Sequence, residues 1–189
     1  HGFCFNHNVL TTEIAAHGKI IISYQFTVFG GKLLGKSSEK IVETDVLIVG
    51  SEGAGARAAI AAEESGVKVT IVTKGRMAKC GATITGGMDI DIDGKSARDL
   101  FGLGDPKDSP GIFAEDTIIE GRYLNNQKLV EVHVKDAPAR CKDLVDWGVP
   151  ITDFVHGAGH RYPRGVCTEG IYIMAALKKE VKRRKIEVI

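Results

Sequence analysis

From Ile41 onward the apolar and polar positions fall into short blocks of distinct period. Asp45-Val46-Leu47-Ile48-Val49 is apolar without alternation and stops at Gly50, which predicts a buried strand. Ala56 to Ser65 is rich in Ala and Glu and is followed by Gly66, which predicts a helix closed by a C′ glycine. Val67 to Val72 predicts a second strand. Strand, glycine turn, helix and strand within about thirty residues form a βαβ unit, so the fold class is α/β with a parallel sheet and helices packed on it.

Beyond this unit the pattern predicts a glycine-rich loop over Gly75 to Gly94. A largely helical stretch follows from Phe113 to Trp147, with Pro138 between two apolar-periodic segments and Gly148-Val149-Pro150 as its end. A polar loop covers His156 to Gly165. Glu169 to Arg184 predicts an amphipathic helix with Thr168 as N-cap, and Ile186 to Ile189 a third strand. Residues 1–40 hold three of the six histidines and a β-branched run, Ile20 to Tyr24, that suits a strand or hairpin. They carry no functional signal and stay unassigned, and residues 41–189 form the domain proper. There is no internal repeat.

Composition narrows the classes. The 189 residues are 43% hydrophobic and 26% charged, enough for one ordinary domain with a core. Net charge is +1 with no basic half, so nucleic acid is not expected as a partner. The 23 glycines exceed the roughly 13 that average usage gives, and they concentrate between Gly50 and Gly121, where backbone is expected to approach a ligand or turn tightly. Cys4, Cys80, Cys141 and Cys167 form no CxxC pair, which argues against a zinc site or a disulfide framework and suits a reducing cytoplasm. The longest apolar run, Ile20 to Phe29, is about half the ~20 residues of a membrane helix. The chain starts without Met and ends inside an apolar run, so it is expected to be a piece of a longer protein.

The turn after the first strand carries the chemistry. Gly50-Ser51-Glu52-Gly53-Ala54-Gly55 matches the dinucleotide fingerprint G-x-G-x-x-G at its first and third glycines. The helix N-terminus behind such a turn offers N–H groups and a positive dipole end to a pyrophosphate. Glu52 stands at the second glycine. A carboxylate ~5 Å from a phosphate would be repelled by roughly 3 kcal/mol at an effective dielectric near 20. Glu52 must therefore face solvent or weaken binding, with Gly53 supplying the close approach. The acidic residue that usually follows the second strand is replaced by Thr73-Lys74, which leaves NAD and FAD undecided on this fingerprint alone.

Thr73-Lys74-Gly75, then Cys80-Gly81-Ala82-Thr83-Ile84-Thr85-Gly86-Gly87, resembles the flavoprotein subunit of succinate dehydrogenases and fumarate reductases. The resemblance continues through Asp116-Thr117 and Asp143 to Pro150, and it covers residues 41–189. It implies a Rossmann-like FAD-binding fold truncated before the capping domain, with residues 41–189 as the N-terminal part of the FAD-binding domain. Carried over, Gly50, Ser51, Glu52, Gly53, Ala54 and Gly55 would hold the pyrophosphate. Thr73, Lys74 and Gly75 would lie by the adenosine ribose. Gly81, Ala82, Thr83, Thr85, Gly86 and Gly87 would line the pyrophosphate and isoalloxazine. Membrane-bound members bond a His to the flavin where this chain has Ala82, which implies non-covalent FAD and favours fumarate reduction over succinate oxidation.

The resemblance further implies hydride transfer between flavin and an activated C=C bond of a small dicarboxylate, with electrons exchanged through a partner, an iron–sulfur electron-transfer subunit. Localisation would be cytoplasmic, peripheral to the inner membrane face through that partner. The family's proton-donating Arg and carboxylate-binding residues lie in a later segment, so no catalytic residue is assigned and this chain alone is not expected to turn over. L-aspartate oxidase, adenylylsulfate reductase and ketosteroid dehydrogenases share the motifs.

Other patterns compete. Gly30-Gly31-Lys32-Leu33-Leu34-Gly35-Lys36-Ser37 matches a P-loop, yet a working one needs a helix directly after it. Asp89 to Gly94 opens like a calcium loop but has Leu100 where a bidentate Glu is required, so a short strand ending at a turn is expected, and no metal. His156, His160, Arg161 and Arg164 could border a substrate, with Arg164 orienting a carboxylate, or simply form a polar loop. Cys80 and Cys141 are expected to be small buried or partly buried residues. The basic run Lys178 to Lys185 is expected to be a solvated helix C-terminus. A truncated chain that never folds is the remaining reading.

Overall fold

Residues up to Arg76 together with Arg184–Ile189 form one compact unit of the chain, and Met77–Arg183 form a second. The structure, a computed structural model, describes residues 8–15, 19–26 and 38–189, without the side chains before Val42 or that of Met88. In the first part of the chain lie β1 (Asn8–Ala15), β2 (Lys19–Phe26), β3 (Ser38–Glu43), β4 (Val46–Val49), α1 (Gly53–Glu64) and β5 (Val69–Val72). They are followed by β6 (Gly87–Asp91), α2 (Gly94–Phe101), α3 (Pro110–Glu120), α4 (Gln127–Asp146), β7 (Asp153–Val155), β8 (Gly165–Glu169), α5 (Gly170–Arg183) and β9 (Glu187–Val188).

In the first unit, β1, β2 and β3 form an antiparallel meander, with Asn8 opposite Phe26 and Lys19 opposite Glu43. The β-branched run Ile20 to Tyr24 lies in its central strand. The P-loop-like segment Gly30–Ser37 lies outside the described residues, but Ser38 opens β3. A strand thus stands where phosphate binding would need a helix.

The parallel sheet has the order β4-β5-β9, with Val46 to Val49 opposite Val69 to Val72 and Thr70 opposite Glu187. The βαβ unit and the third strand are therefore as the sequence predicts. Ala56, Ala59 and Ile60 on α1 are fully buried, and the small alanines let the helix lie close to the sheet. Burying Ile60 or Ile71 contributes roughly 1.5–3 kcal/mol each. Gly66, at φ +82°, donates its N–H to the Glu63 carbonyl and closes α1.

One expectation for this sheet fails. β5 is buried along its whole length, whereas Val49 of β4 is 78% exposed. Among the described residues β4 pairs with β5 alone, so its unbroken apolar run forms a sheet edge rather than a centre. The basic run is largely solvated at the end of α5 as expected, with Lys179, Lys182, Arg183 and Lys185 exposed, but one member departs. Arg184 is only 14% exposed and is clasped by Glu63 at 2.8 Å and Glu64 at 2.7 Å.

The second unit is built on the antiparallel sheet β6-β8-β7. Alternation puts Ile90, Val166 and Phe154 on one face, where they pack with Ile92, Ala97, Ala137 and Cys141. Side-chain caps start α2, α3 and α4: Asp93 accepts from Ser96 N–H, Ser109 from Ile112 N–H, and Asn126 from Lys128 N–H. The calcium-like stretch opens with the expected strand, but in place of a turn it leads directly into α2, with Asp93 as this cap.

The helical stretch breaks at Gly121–Asn126, where Arg122 and Tyr123 adopt φ of 50° and 60°, and not at Pro138. Pro138 lies inside α4, between the buried Ala137 and Cys141, and this packing outweighs the ~3 kcal/mol cost of an interior proline. Thr168 is likewise not a helix cap. It pairs with Met88 inside β8, because strand pairing continues to Glu169 and α5 starts directly at Gly170. No helix among the described residues is long and apolar enough to cross a membrane.

Candidate functional site

In the first unit the site is the bend between β4 and α1. Gly50 adopts φ +101°, a conformation that costs an L side chain about 1–2 kcal/mol, and donates its N–H to the Val72 carbonyl at 2.8 Å. Gly55 sits so close to this bend that a β-carbon on it would lie 2.2 Å from the Gly50 carbonyl oxygen. The two glycines therefore perform the turn and close-packing roles of the fingerprint.

Ser51 is buried, and its Oγ lies 2.9 Å from Thr73 Oγ1. That hydroxyl pair ties the crest of the bend to the end of β5, while the Thr73 N–H donates to the Ile189 carbonyl. Glu52 is the N-cap of α1 in extended conformation, with an exposed side chain that makes no capping bond, and its carbonyl accepts from Ala56 N–H. No acidic residue occupies the first turn of α1, so the positive end of the helix dipole is not neutralised from within. Lys74 is exposed and Gly75 half-buried.

In the second unit the glycine-rich loop is a compact shape rather than a slack connection. Gly81 has φ +94°, Ala82 is exposed, and Thr83–Thr85 make a single 3-10 turn in which the Thr85 N–H and Oγ1 both donate to the Ala82 carbonyl. Gly86 donates to Thr83 and accepts from Gly170 N–H at 2.8 Å before Gly87 opens β6. Gly170, which carries no motif in the sequence, is the seat of this loop. A β-carbon there would lie 1.7 Å from the Thr83 carbonyl oxygen. Its one signal in the sequence is a lone Gly at the start of an amphipathic helix. Gly81, Ala82, Thr85 and Gly87 remain exposed, leaving backbone open to a ligand. Cys80 is exposed too, against expectation, while Cys141 is buried and its thiol is pushed up to about 11 by burial.

The polar loop is not an open carboxylate site. Arg164 is fully buried, and its fork donates to Asp108 at 2.7 and 2.8 Å and to Asp116 at 2.8 Å. Its Nη1 also donates to His160 Nδ1 at 3.0 Å, and its guanidinium lies over the Phe113 ring at 4.7 Å. His160 must therefore carry its proton on Nε2, which faces Glu120 at 3.3 Å. Burial alone would raise the Asp108 carboxyl, but hydrogen bonds from Arg164 and from the Gly94 and Ser109 backbone hold it below its usual range. Asp116 is held low in the same way by Arg161 and Arg164. Fully buried, with four of its five N–H groups committed to these partners, Arg164 is not placed to orient a substrate. Of the four polar-loop residues, only His156 makes no contact with this cluster's aspartates or Arg164, its Nε2 lying 2.6 Å from the His160 carbonyl. Among the described residues no cluster of His, Cys, Asp and Glu suits a metal ion.

Comparison with known proteins identifies the family. The family of the FAD binding domain matches residues 45–179. One component of the CoM/CoB fumarate reductase from Methanothermobacter marburgensis is 37% identical over 160 residues, covering 79% of this chain and 28% of that protein. The open conformation of a flavocytochrome c3 fumarate reductase superposes with a TM-score of 0.67 at 26% identity, over 77% of this chain and 26% of the other. The Sdh1 complex of Mycobacterium smegmatis gives 0.66 at 27% identity, over 77% and 27%. The chain thus spans little more than a quarter of these relatives. On the glycine bend, the parallel βαβ unit and this match, the chain belongs to the FAD-binding domain family that it shares with the fumarate reductase and succinate dehydrogenase flavoproteins.

Proposed function

We propose that this chain is the N-terminal, FAD-holding part of a flavoprotein oxidoreductase that acts on a small dicarboxylate. The observation that carries the reading is the bend itself: Gly50 in a left-handed conformation, Gly55 against its carbonyl, and the N-terminus of α1 behind them. Such a bend fits a diphosphate because backbone N–H groups and the helix dipole favour negative charge where no side chain fills the space.

On this reading Gly50, Ser51, Gly53, Ala54 and Gly55 hold the diphosphate, with Glu52 turned to solvent. Thr73, Lys74 and Gly75 serve the adenosine end, and Gly81 to Gly87 serve the flavin end. FAD, when bound, supplies hydride transfer to or from an activated carbon–carbon bond. The work of this chain is to bind and orient it. The side chain of Ala82 has no nucleophile, which supports non-covalent attachment. The fumarate reductases among the relatives support the reductive direction, with electrons arriving from a partner protein.

The test is acid precipitation of the FAD-loaded chain. Non-covalent binding leaves the flavin in the supernatant, and a yellow pellet contradicts that part of the reading. Failure of the folded chain to bind FAD at all contradicts the whole.

A further inference from the structure

Arg164 is the largest of the fully buried side chains described. A buried ion pair gives little net stability over well-packed apolar groups, because desolvation offsets most of the attraction. Its distinctive property is geometric, since a planar fork with matched acceptors admits one arrangement. What Arg164 arranges can be read from its backbone. Its carbonyl accepts from Ile92 N–H at 3.2 Å, next to β6, and its N–H donates to the Val155 carbonyl at 3.1 Å, in β7. Arg164 thus stands at the head of β8, hydrogen-bonded to the chain on both sides, while its side chain grips Asp108 ahead of α3 and Asp116 within it.

From that anchor β8 runs in register with β6, Gly165 opposite Asp91 and Glu169 opposite Gly87. It delivers Gly170 to the one place where Thr83 and Gly86 leave no room for a β-carbon. A slip of one residue would bring Glu169 or Ile171 against the Thr83 carbonyl and turn Val166 out of the core.

We propose that Arg164 is a positioning residue for the loop Gly81–Gly87. By fixing the register of β8 it sets Gly170, and through Gly170 the shape of the backbone offered to the flavin. The flavin clause rests on the function proposed above, whereas the loop clause does not.

The experiment compares Arg164→Lys, which keeps the charge and loses the fork, with the unaltered chain. Amide hydrogen exchange is read at Gly86 and Gly170, and at Ala59 and Ile60 in α1 as a control. Binding of FAD and of ADP is measured in parallel, because ADP carries only the adenosine diphosphate half. The expected result is exchange at least tenfold faster at Gly86 and Gly170, with α1 within twofold. FAD affinity should fall about tenfold or more, with ADP within twofold.

Unchanged protection at Gly170 overturns the proposal, as does an equal loss of FAD and ADP. Should Arg164→Lys fail to fold, Asp116→Asn, which removes one partner and keeps its shape, must show the same pattern at smaller size or the proposal is wrong. An unaltered chain that folds and binds no FAD counts against the flavin reading alone, and the exchange arm still decides the positioning role.

Discussion

Gly170 and Thr83 are in such close contact that a single β-carbon on the glycine would stand 1.7 Å from the threonine carbonyl oxygen. Backbone cannot yield by that much, so Gly170→Ala should displace the 3-10 turn. The expected cost is about 3 kcal/mol, as for severe overpacking. Thermal unfolding should show a Tm lower by about 10 °C, at 2–4 °C per kcal/mol for a chain of this size. An unchanged Tm would show that the loop does not seat on α5.

Glu52 places a carboxylate at the N-terminus of α1, where a diphosphate is expected. Its side chain is exposed, so solvent and salt screen most of the repulsion. Glu52→Gln should tighten FAD binding two- to tenfold at low ionic strength, with the difference shrinking at 0.5 M salt. Glu52→Gly should act in the same direction. Identical titration curves for variant and parent would mean that the charge lies away from the phosphates.

The buried aspartates give stability a definite pH dependence. The Asp108 and Asp116 carboxyls are held below 3.8 in the folded chain by their Arg and backbone donors. Their contribution is therefore present above about pH 4 and is lost as pH falls through their lower folded values. Asp108→Asn should cost about 3–5 kcal/mol near neutrality, since it leaves Arg164 short of its partner charge. Its stability should also fall less steeply than the parent's as pH drops below about 4. Parallel pH profiles in urea unfolding would refute this origin of acid sensitivity.

How much of this was legible in the sequence depends on how local each cause is. Gly50, Gly55 and Gly66 act within a few residues of themselves, through a positive φ or a close approach, and a one-dimensional pattern shows them. The βαβ unit was readable for the same reason. The Arg164 cluster was not, because Asp108 lies 56 residues away and Asp116 lies 48 away. A polar loop and a buried ion cluster look alike until the fold closes them. Thr168 misled because Ser and Thr before a helix usually cap it, and only the pairing with Met88 shows the strand continuing. Val49 misled in the opposite sense: its apolar run describes a sheet centre, while the described chain supplies a neighbour on one side only.

Thiol chemistry offers an independent check on the second unit. Cys80 is exposed beside the glycine-rich loop, whereas Cys141 is buried and its thiol is pushed up to about 11. The Cys167 thiol is also raised, by burial and by Asp89, Asp153 and Asp91. At pH 8, Cys80 should be alkylated first of these three and Cys141 last, with mass mapping as the readout. Bound FAD should slow the reaction at Cys80. Equal rates at Cys80 and Cys141 in the folded chain would contradict the packing of α4.

The most direct measurement is a titration of the purified chain with FAD, followed by quenching of flavin fluorescence, alongside a thermal unfolding scan. The account expects saturable binding of one FAD per chain, a higher Tm with FAD present, and displacement by ADP. A chain that unfolds cooperatively yet neither quenches FAD nor gains stability from it would contradict the central claim that the bend at Gly50–Gly55 holds a flavin nucleotide.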